Sequence, residues 1–333
     1  MTRARLGAVA CHHNAALGVL IGGIMTRVEL KRLIRGPFAT VPTAFDDGLK
    51  LDLPVMADLT RWWVAHGLVA GKAVIKVAAA MGEGPDLSDD EWPHLLRTVV
   101  NAAGGKAAIV CGLKPKNTLH TIEDAKKAQD LGAIGVQIDL PIFHHPTQDD
   151  IVRFFTDISD AIDIGIVLYN TWWFAAPSIT AESVRRLADA EHLVAIKWDV
   201  PPDCNYDDMR QFADQVNVID NANEPVRCHR NGGQGYINNT MNAYPAHDLA
   251  LWELLEARRY DEAEEIWDRV NMPLSAFIER AAKRSGGYRV NKGMMTIMGH
   301  PMGVPRPPTL PLDAQEMAEL RDLMAGFGWP IPA

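Results

Sequence analysis

From residue 36 onward the chain alternates short, β-branched apolar runs with amphipathic stretches. Eight runs read as strands: Phe38–Pro42, Ala73–Ala78, Ala107–Gly112, Gly135–Leu140, Gly165–Tyr169, Leu193–Lys197, Val216–Asp220 and Gly235–Asn239. Most are almost continuously hydrophobic, as a strand buried on both faces requires. The stretches between them carry helix signals. Ser88-Asp-Asp-Glu91 has the spacing of a capping box, in which hydroxyl and carboxylate each satisfy an orphan backbone N–H. Thr147-Gln-Asp-Asp150 opens an apolar face of Ile151, Phe154, Phe155, Ile158 and Ile162 in the same way, and Gly104, Gly132 and Gly232 stand where helices should stop. Strands alternating with helices imply parallel pairing, because parallel neighbours need a crossover. Eight such units predict a closed (β/α)8 barrel. An open doubly wound sheet is the weaker reading, since Phe38-Ala-Thr-Val-Pro-Thr43 runs into the turn Phe45-Asp-Asp-Gly48 with no glycine-rich phosphate loop.

After about residue 260 the strand signal stops. Helical segments are expected near 261–284, 289–298 and 313–326, broken by Gly286-Gly287 and Pro305-Arg-Pro-Pro308. The expected organisation is an N-terminal extension over 1–27, a barrel over 28–260 and a helical C-terminal extension over 261–333. In the first segment Arg3 and Arg5 precede an apolar run from Ala15 to Ile24 that is loosely similar to a secretion signal. Cys11, His12 and His13 interrupt its approach, no small-x-small cleavage site precedes Arg27, and the run is shorter than the roughly 20 residues of a membrane span. Met25 opens a second plausible start where helical patterning (Val28, Leu30, Leu33, Ile34) begins, so residues 1–24 read as dispensable or mis-started.

Composition narrows the partners. Of 333 residues 47% are hydrophobic and 23% charged, and 42 acids against 33 bases give a net charge of −9 with no Lys/Arg block. That balance argues against nucleic acid or an anionic membrane as the main partner. The four cysteines, Cys11, Cys111, Cys204 and Cys228, are scattered without a C-x-x-C, which indicates neither a disulfide framework nor a zinc ribbon. A reducing cytoplasm is the expected location.

Barrel enzymes carry their chemistry at the C-terminal ends of strands. Those positions hold Asp139, Tyr169-Asn170, Lys197, Asp220-Asn221 and Asn238-Asn239. Lys197, in Val194-Ala-Ile-Lys-Trp198, places an amine among apolar neighbours, and burial favours the neutral form that attacks a ketone to give a Schiff base. A phenol on the preceding strand, Tyr169, is placed to pass protons to and from such an adduct. Spacing alone leaves open that Lys197 merely pairs with Asp199 or Asp220. Lys76, two residues before the end of strand two, competes as the reactive lysine. Glu83 reads as a brace of its turn or as a base, and His144-His145 as a surface pair or as a substrate contact; their spacing supports no metal site.

Leu168-Tyr169-Asn170 followed by Ala195-Ile196-Lys197 resembles the dihydrodipicolinate synthase/N-acetylneuraminate lyase family of Schiff-base-forming barrels. Val41-Pro42-Thr43 with Asp46-Asp47-Gly48 is similar to that family's first strand and turn. Ala79-Ala-Met-Gly-Glu83 is similar to its Gly-Thr-Thr-Gly-Glu segment, Leu140-Pro141-Ile-Phe143 to its Thr-Pro-Tyr-Tyr region, and Gly232-Gly233-Gln-Gly235-Tyr-Ile237 to its strand eight. The likeness spans roughly residues 36–325. It implies a covalent imine between Lys197 and a 2-oxo acid, usually pyruvate, without metal or cofactor. It further implies Tyr169 as acid/base, the backbone N–H groups of Ala80 and Met81 holding the substrate carboxylate, and Ile237 lining the same pocket through its backbone. Asn170, beside the phenol, and Phe143 and Phe174 complete the implied substrate contacts. A homotetramer, arranged as a dimer of dimers, is expected on the same ground.

The departures are as informative. Ala80 and Met81 replace the family's two relay threonines, and Phe143 its relay tyrosine. Phe174, in Thr171-Trp-Trp-Phe174, stands where the synthase has an arginine for its aldehyde's carboxylate, exchanging charge-assisted anion recognition for flat apolar surface. Trp172, Trp173 and Phe174 read either as that surface or as a subunit or loop contact. The expected function is a Schiff-base-forming lyase (aldolase, hydratase-aldolase or dehydratase) acting on a 2-oxo acid, with pyruvate the expected one, and a weakly polar or aromatic aldehyde. The alternatives are a non-catalytic barrel that binds a 2-oxo acid as sensor or scaffold, a dihydrodipicolinate synthase-type activity and a metal-dependent aldolase.

Overall fold

The computed structural model describes residues 25–141, 145–174 and 177–332. Eight parallel strands close in sequential order: β1 (Gly36–Thr40), β2 (Val74–Val77), β3 (Ala108–Gly112), β4 (Gly135–Asp139), β5 (Gly165–Tyr169), β6 (Leu193–Trp198), β7 (Asn217–Asp220) and β8 (Gly235–Ile237). Each expected strand is present. β1 begins two residues earlier than its apolar run because closure onto β8 sets the register, Gly36 lying opposite Gly235. Any side chain at Gly235 would meet the Gly36 carbonyl oxygen at 2.1 Å, so only glycine allows that approach.

Helix α1 (Arg27–Leu33) starts with a Thr26/Glu29 capping box and seals the N-terminal end of the barrel. Its Leu30, with Ile34 just beyond, joins Phe38, Val74, Ala108, Val110, Val167, Ala195 and Ile219 in the apolar interior. Outside the strands run α2 (Leu53–Ala65), α3 (Glu91–Ala103), α4 (Thr118–Asp130), α5 (Gln148–Ser159), α6 (Ala181–Arg186), α7 (Pro225–Arg230), α8 (Thr240–Ala243) and α9 (Pro245–Glu256). The Ser88/Glu91 exchange forms in both directions ahead of α3, at 2.8 and 3.2 Å. The Thr147/Asp150 box opens α5, whose Ile151, Phe154, Phe155 and Ile158 are buried against the barrel. The main core lies between strands and helices.

The chain ends in α10 (Tyr260–Ala282), α11 (Arg289–Ile297) and α12 (Ala314–Gly326), near the three segments expected. α11 is buried along almost its whole length, Arg289, Asn291 and Lys292 included. No helix among the described residues is long and apolar enough to cross a membrane.

Candidate active site

The interior changes character along its axis. Below, it is filled by aliphatic side chains; at the C-terminal ends of the strands it becomes polar, with Lys76 on β2, Gln137 and Asp139 on β4, Tyr169 on β5 and Lys197 on β6. Asp139 is in register with Tyr169, and Tyr169 with Lys197, so these three stand side by side at one level. Lys197 is 4% exposed, and its Nζ lies 3.5 Å from the centroid of the Tyr169 ring. It forms no ion pair with Asp199 or Asp220 among the described residues: Asp220 instead accepts from the Tyr206 hydroxyl at 2.7 Å and from the backbone of Ala222 and Glu224. The glue reading left open by spacing therefore does not describe Lys197.

Burial pulls the Lys197 ammonium well below the usual lysine range, the Lys76 cation adds to the effect, and Asp139 and Asp199 oppose it. Burial also lowers Lys76, to about 7, with Asp139 opposing. Asp139 is pushed up to about 6 by desolvation against the pull of Lys197 and Lys76. The Tyr169 phenol is raised by burial and by Asp139 and Asp199, so it stays protonated at neutral pH. Lys76 is held by a 2.7 Å hydrogen bond from its Nζ to Gln137 Oε1, which sets it below the mouth rather than at it.

Ala80 and Met81 open a single 3-10 turn, Ala80–Gly82, beyond β2. The turn is closed by Gly82 and Gly84 N–H bonds to the Ala79 carbonyl, while among the described residues no backbone acceptor takes the Ala80 or Met81 N–H. Ala80 is exposed towards the mouth, so these two donors are available for an anion. The turn's shape depends on close approach: a Cβ at Gly84 would lie 1.8 Å from the Ala78 carbonyl oxygen. Glu83, at φ +64°, braces it with a 3.0 Å ion pair to the buried Lys292, and Lys292 also bonds the Val304 carbonyl at 3.0 Å. Asn291 donates to the Met81 carbonyl at 3.1 Å, and Thr43 to that of Gly82 at 2.7 Å. Thr43 stood in a recognisable motif without a role, whereas Asn291 and Lys292 carried no signal in the sequence; Asn291 lies 210 residues from the turn that it holds.

Ile237 ends β8 in register with Phe38, partly exposed to the interior. Asn170 is fully buried, and its amide is committed to the framework: it donates to Ser178 Oγ at 2.8 Å and the Asp199 carbonyl at 2.7 Å and accepts from the Ile179 N–H. Asn238 is held similarly, donating to Asp248 at 2.7 Å. The loop beyond β5 builds an aromatic ladder. Trp173 packs edge-on against Tyr169, with centroids 5.4 Å apart, and Trp172 and Phe174 contact Trp173 at 5.6 and 6.2 Å. Trp173 is 39% exposed and Phe174 65%. His145 is exposed. Phe143, His144 and residues 1–24 lie outside the described residues.

Comparison with known proteins agrees with this geometry. The chain is 29% identical over 224 residues to 4-hydroxy-tetrahydrodipicolinate synthase of Thermomicrobium roseum, covering 64% of this chain and 70% of that protein. It is 27% identical over 298 residues to the enzyme of that name from Acidothermus cellulolyticus, covering 88% and 94%. Its fold superimposes with a TM-score of 0.78, at 21% identity over 89% of this chain and 99% of the other, on a prophage protein of the dihydrodipicolinic acid synthase family from E. coli K12, solved in complex with pyruvate. Residues 33–326 match the dihydrodipicolinate synthetase family, and the chain, a (β/α)8 barrel with C-terminal helices, belongs to that family.

Proposed function

We propose that this protein is a Schiff-base-forming lyase that joins or separates a 2-oxo acid and a weakly polar, aromatic aldehyde. The observation that carries the reading is the buried Lys197 amine, without an ion pair among the described residues and set 3.5 Å from the centroid of the Tyr169 ring at the barrel mouth. Desolvation favours the neutral amine, whose lone pair attacks C2 of the 2-oxo acid. The Tyr169 hydroxyl delivers a proton to the departing oxygen, and loss of water leaves the iminium. The Ala80 and Met81 N–H groups hold the carboxylate, a role that survives loss of the threonine side chains because the donors are main-chain. No metal or cofactor enters this scheme.

The aromatic ladder supports the choice of aldehyde. Trp173 and Phe174 lead from the reacting phenol to solvent, offering stacking surface where an anionic aldehyde would need a guanidinium. The site therefore favours an aryl aldehyde over the synthase's anionic partner.

Reductive trapping tests the reading. Incubation with pyruvate and borohydride should add the reduced adduct at Lys197, with the mass gain lost in Lys197→Ala and retained in ten-millimolar-scale EDTA. Adduct on Lys76 would move the chemistry to the other lysine. No adduct with any 2-oxo acid would remove the lyase assignment, and adduct without turnover of any aldehyde would favour a binding barrel.

A further inference from the structure

The imine chemistry above leaves one carboxylate at the reacting level without a task. Asp139 closes β4 in register with Tyr169, and Lys197 stands in register on the other side of the phenol. Val167 and Ala195, two residues earlier on β5 and β6, belong to the apolar interior, so strand alternation turns Tyr169 and Lys197 towards the barrel axis. Asp139 is partly exposed to the mouth. Its carboxylate accepts no hydrogen bond and forms no ion pair among the described residues, although Lys197 and Lys76 both lie close enough to act on its charge. Two residues earlier on the same strand, Gln137 takes the Lys76 Nζ at 2.7 Å and so keeps that cation below the carboxylate instead of bonded to it. A largely desolvated acid set between two amines and locked to neither is arranged for proton transfer more than for scaffolding.

We propose that Asp139 is the base that removes the C3 proton of the 2-oxo-acid imine and returns it, doing work for which Ala80 and Phe143 have no hydroxyl. The proposal rests on the Schiff-base reading. In the iminium the C3–H bonding pair becomes the C2–C3 π bond, the C=N π pair moves onto nitrogen, and the proton passes to the Asp139 carboxylate. The product is a neutral enamine, and the reverse step restores the iminium without any further reactant. Asp139 is faced by Lys197 from β6, by Lys76 from β2 and by Tyr169 from β5, while Asp199 beyond β6 acts on Tyr169 and Lys197. Its proton affinity, raised to about 6, leaves it ionised at neutral pH and more basic than an ordinary aspartate, the range in which a general base works best.

The test is exchange of the pyruvate methyl protons in D2O, followed by proton NMR, alongside borohydride trapping of the same preparations. In Asp139→Asn the exchange rate should fall about tenfold or more, with the yield of adduct on Lys197 unchanged, and Asp139→Glu should recover part of the rate. Exchange at the wild-type rate in Asp139→Asn would overturn the proposal. So would loss of trapping in that variant, which would place Asp139 in imine formation or in the fold, and so would wild-type protein that traps pyruvate without exchanging it. Failure of the wild-type protein to trap any 2-oxo acid would instead remove the Schiff-base reading, and this one with it.

Discussion

Two lysines are buried inside one barrel, Lys76 at 1% exposure and Lys197 at 4%, and the surroundings rather than the residue type separate their roles. The Gln137 side-chain amide oxygen accepts from Lys76, whereas among the described residues the Lys197 amine meets a ring face and no hydrogen-bond acceptor. The coupling between them makes a pH prediction with a definite sign. A lysine whose folded value is depressed becomes neutral as pH rises through that value, so trapping at Lys197 should rise with pH and level off well below 10.5. Lys76→Met removes a cation that pushes Lys197 down, so the midpoint of the trapping profile should move upward by about half a pH unit or more. A midpoint that stays put would show that the two amines do not interact. Lys197 and Tyr169 could be read from the sequence as mouth positions because both lie at or next to the C-terminal ends of strands in recognisable local runs. Asn170 was legible as a position but not as a role: its neighbour is the phenol, yet its own amide ties β5 to Ser178, Ile179 and Asp199.

At the scale of elements, the turn that presents the Ala80 and Met81 donors is not self-supporting. It leans on α11, through Asn291 to the Met81 carbonyl and through Lys292 to Glu83, and Tyr288 and Arg306 tether Asp86 just beyond it. Burial raises the Glu83 carboxyl to about 7 in spite of Lys292, which marks it as a group that depends on its partner. Lys292→Met should therefore cost about 3 kcal/mol in denaturant unfolding, because it leaves a buried acid without its cation. Glu83→Gln combined with Lys292→Met should recover most of that loss. Equal losses in the single and double variants would show that the pair is not what holds the turn. The same turn has no room for change at Gly84, where alanine should cost roughly 2 kcal/mol or more, read as a lowered denaturation midpoint. Capping boxes at Ser88 and Thr147 could be read from four residues each, since both partners are local. The Glu83–Lys292 pair could not, since nothing short-range links the two.

For the whole molecule, closure of the sheet brings the ends of β2, β4, β5 and β6 to one mouth and the loop after β5 over it. Phe174, 65% exposed, and Trp173 stand at that rim, open to an aldehyde or to a second copy of the chain. We propose a homotetramer, a dimer of dimers, as family membership suggests. Light scattering at micromolar concentration should give four times the 36.7 kDa chain mass, and a monomer would remove the proposal.

Hydrophobic periodicity and a few ordered motifs, read along the chain, determined the eight strands, the barrel class, the helical C-terminal segments and the Lys197–Tyr169 pair. Each rests on interactions between near neighbours or on the two-sided burial that every barrel strand shares, and such demands are written locally. The start of β1, the bracing of the Ala80–Gly82 turn by α11, the framework role of Asn170 and the side-by-side placement of Asp139, Tyr169 and Lys197 were decided only by the tertiary structure. Strand register and packing between distant segments set those distances, and a low-dielectric interior turns them into shifted proton affinities that no isolated stretch of sequence possesses.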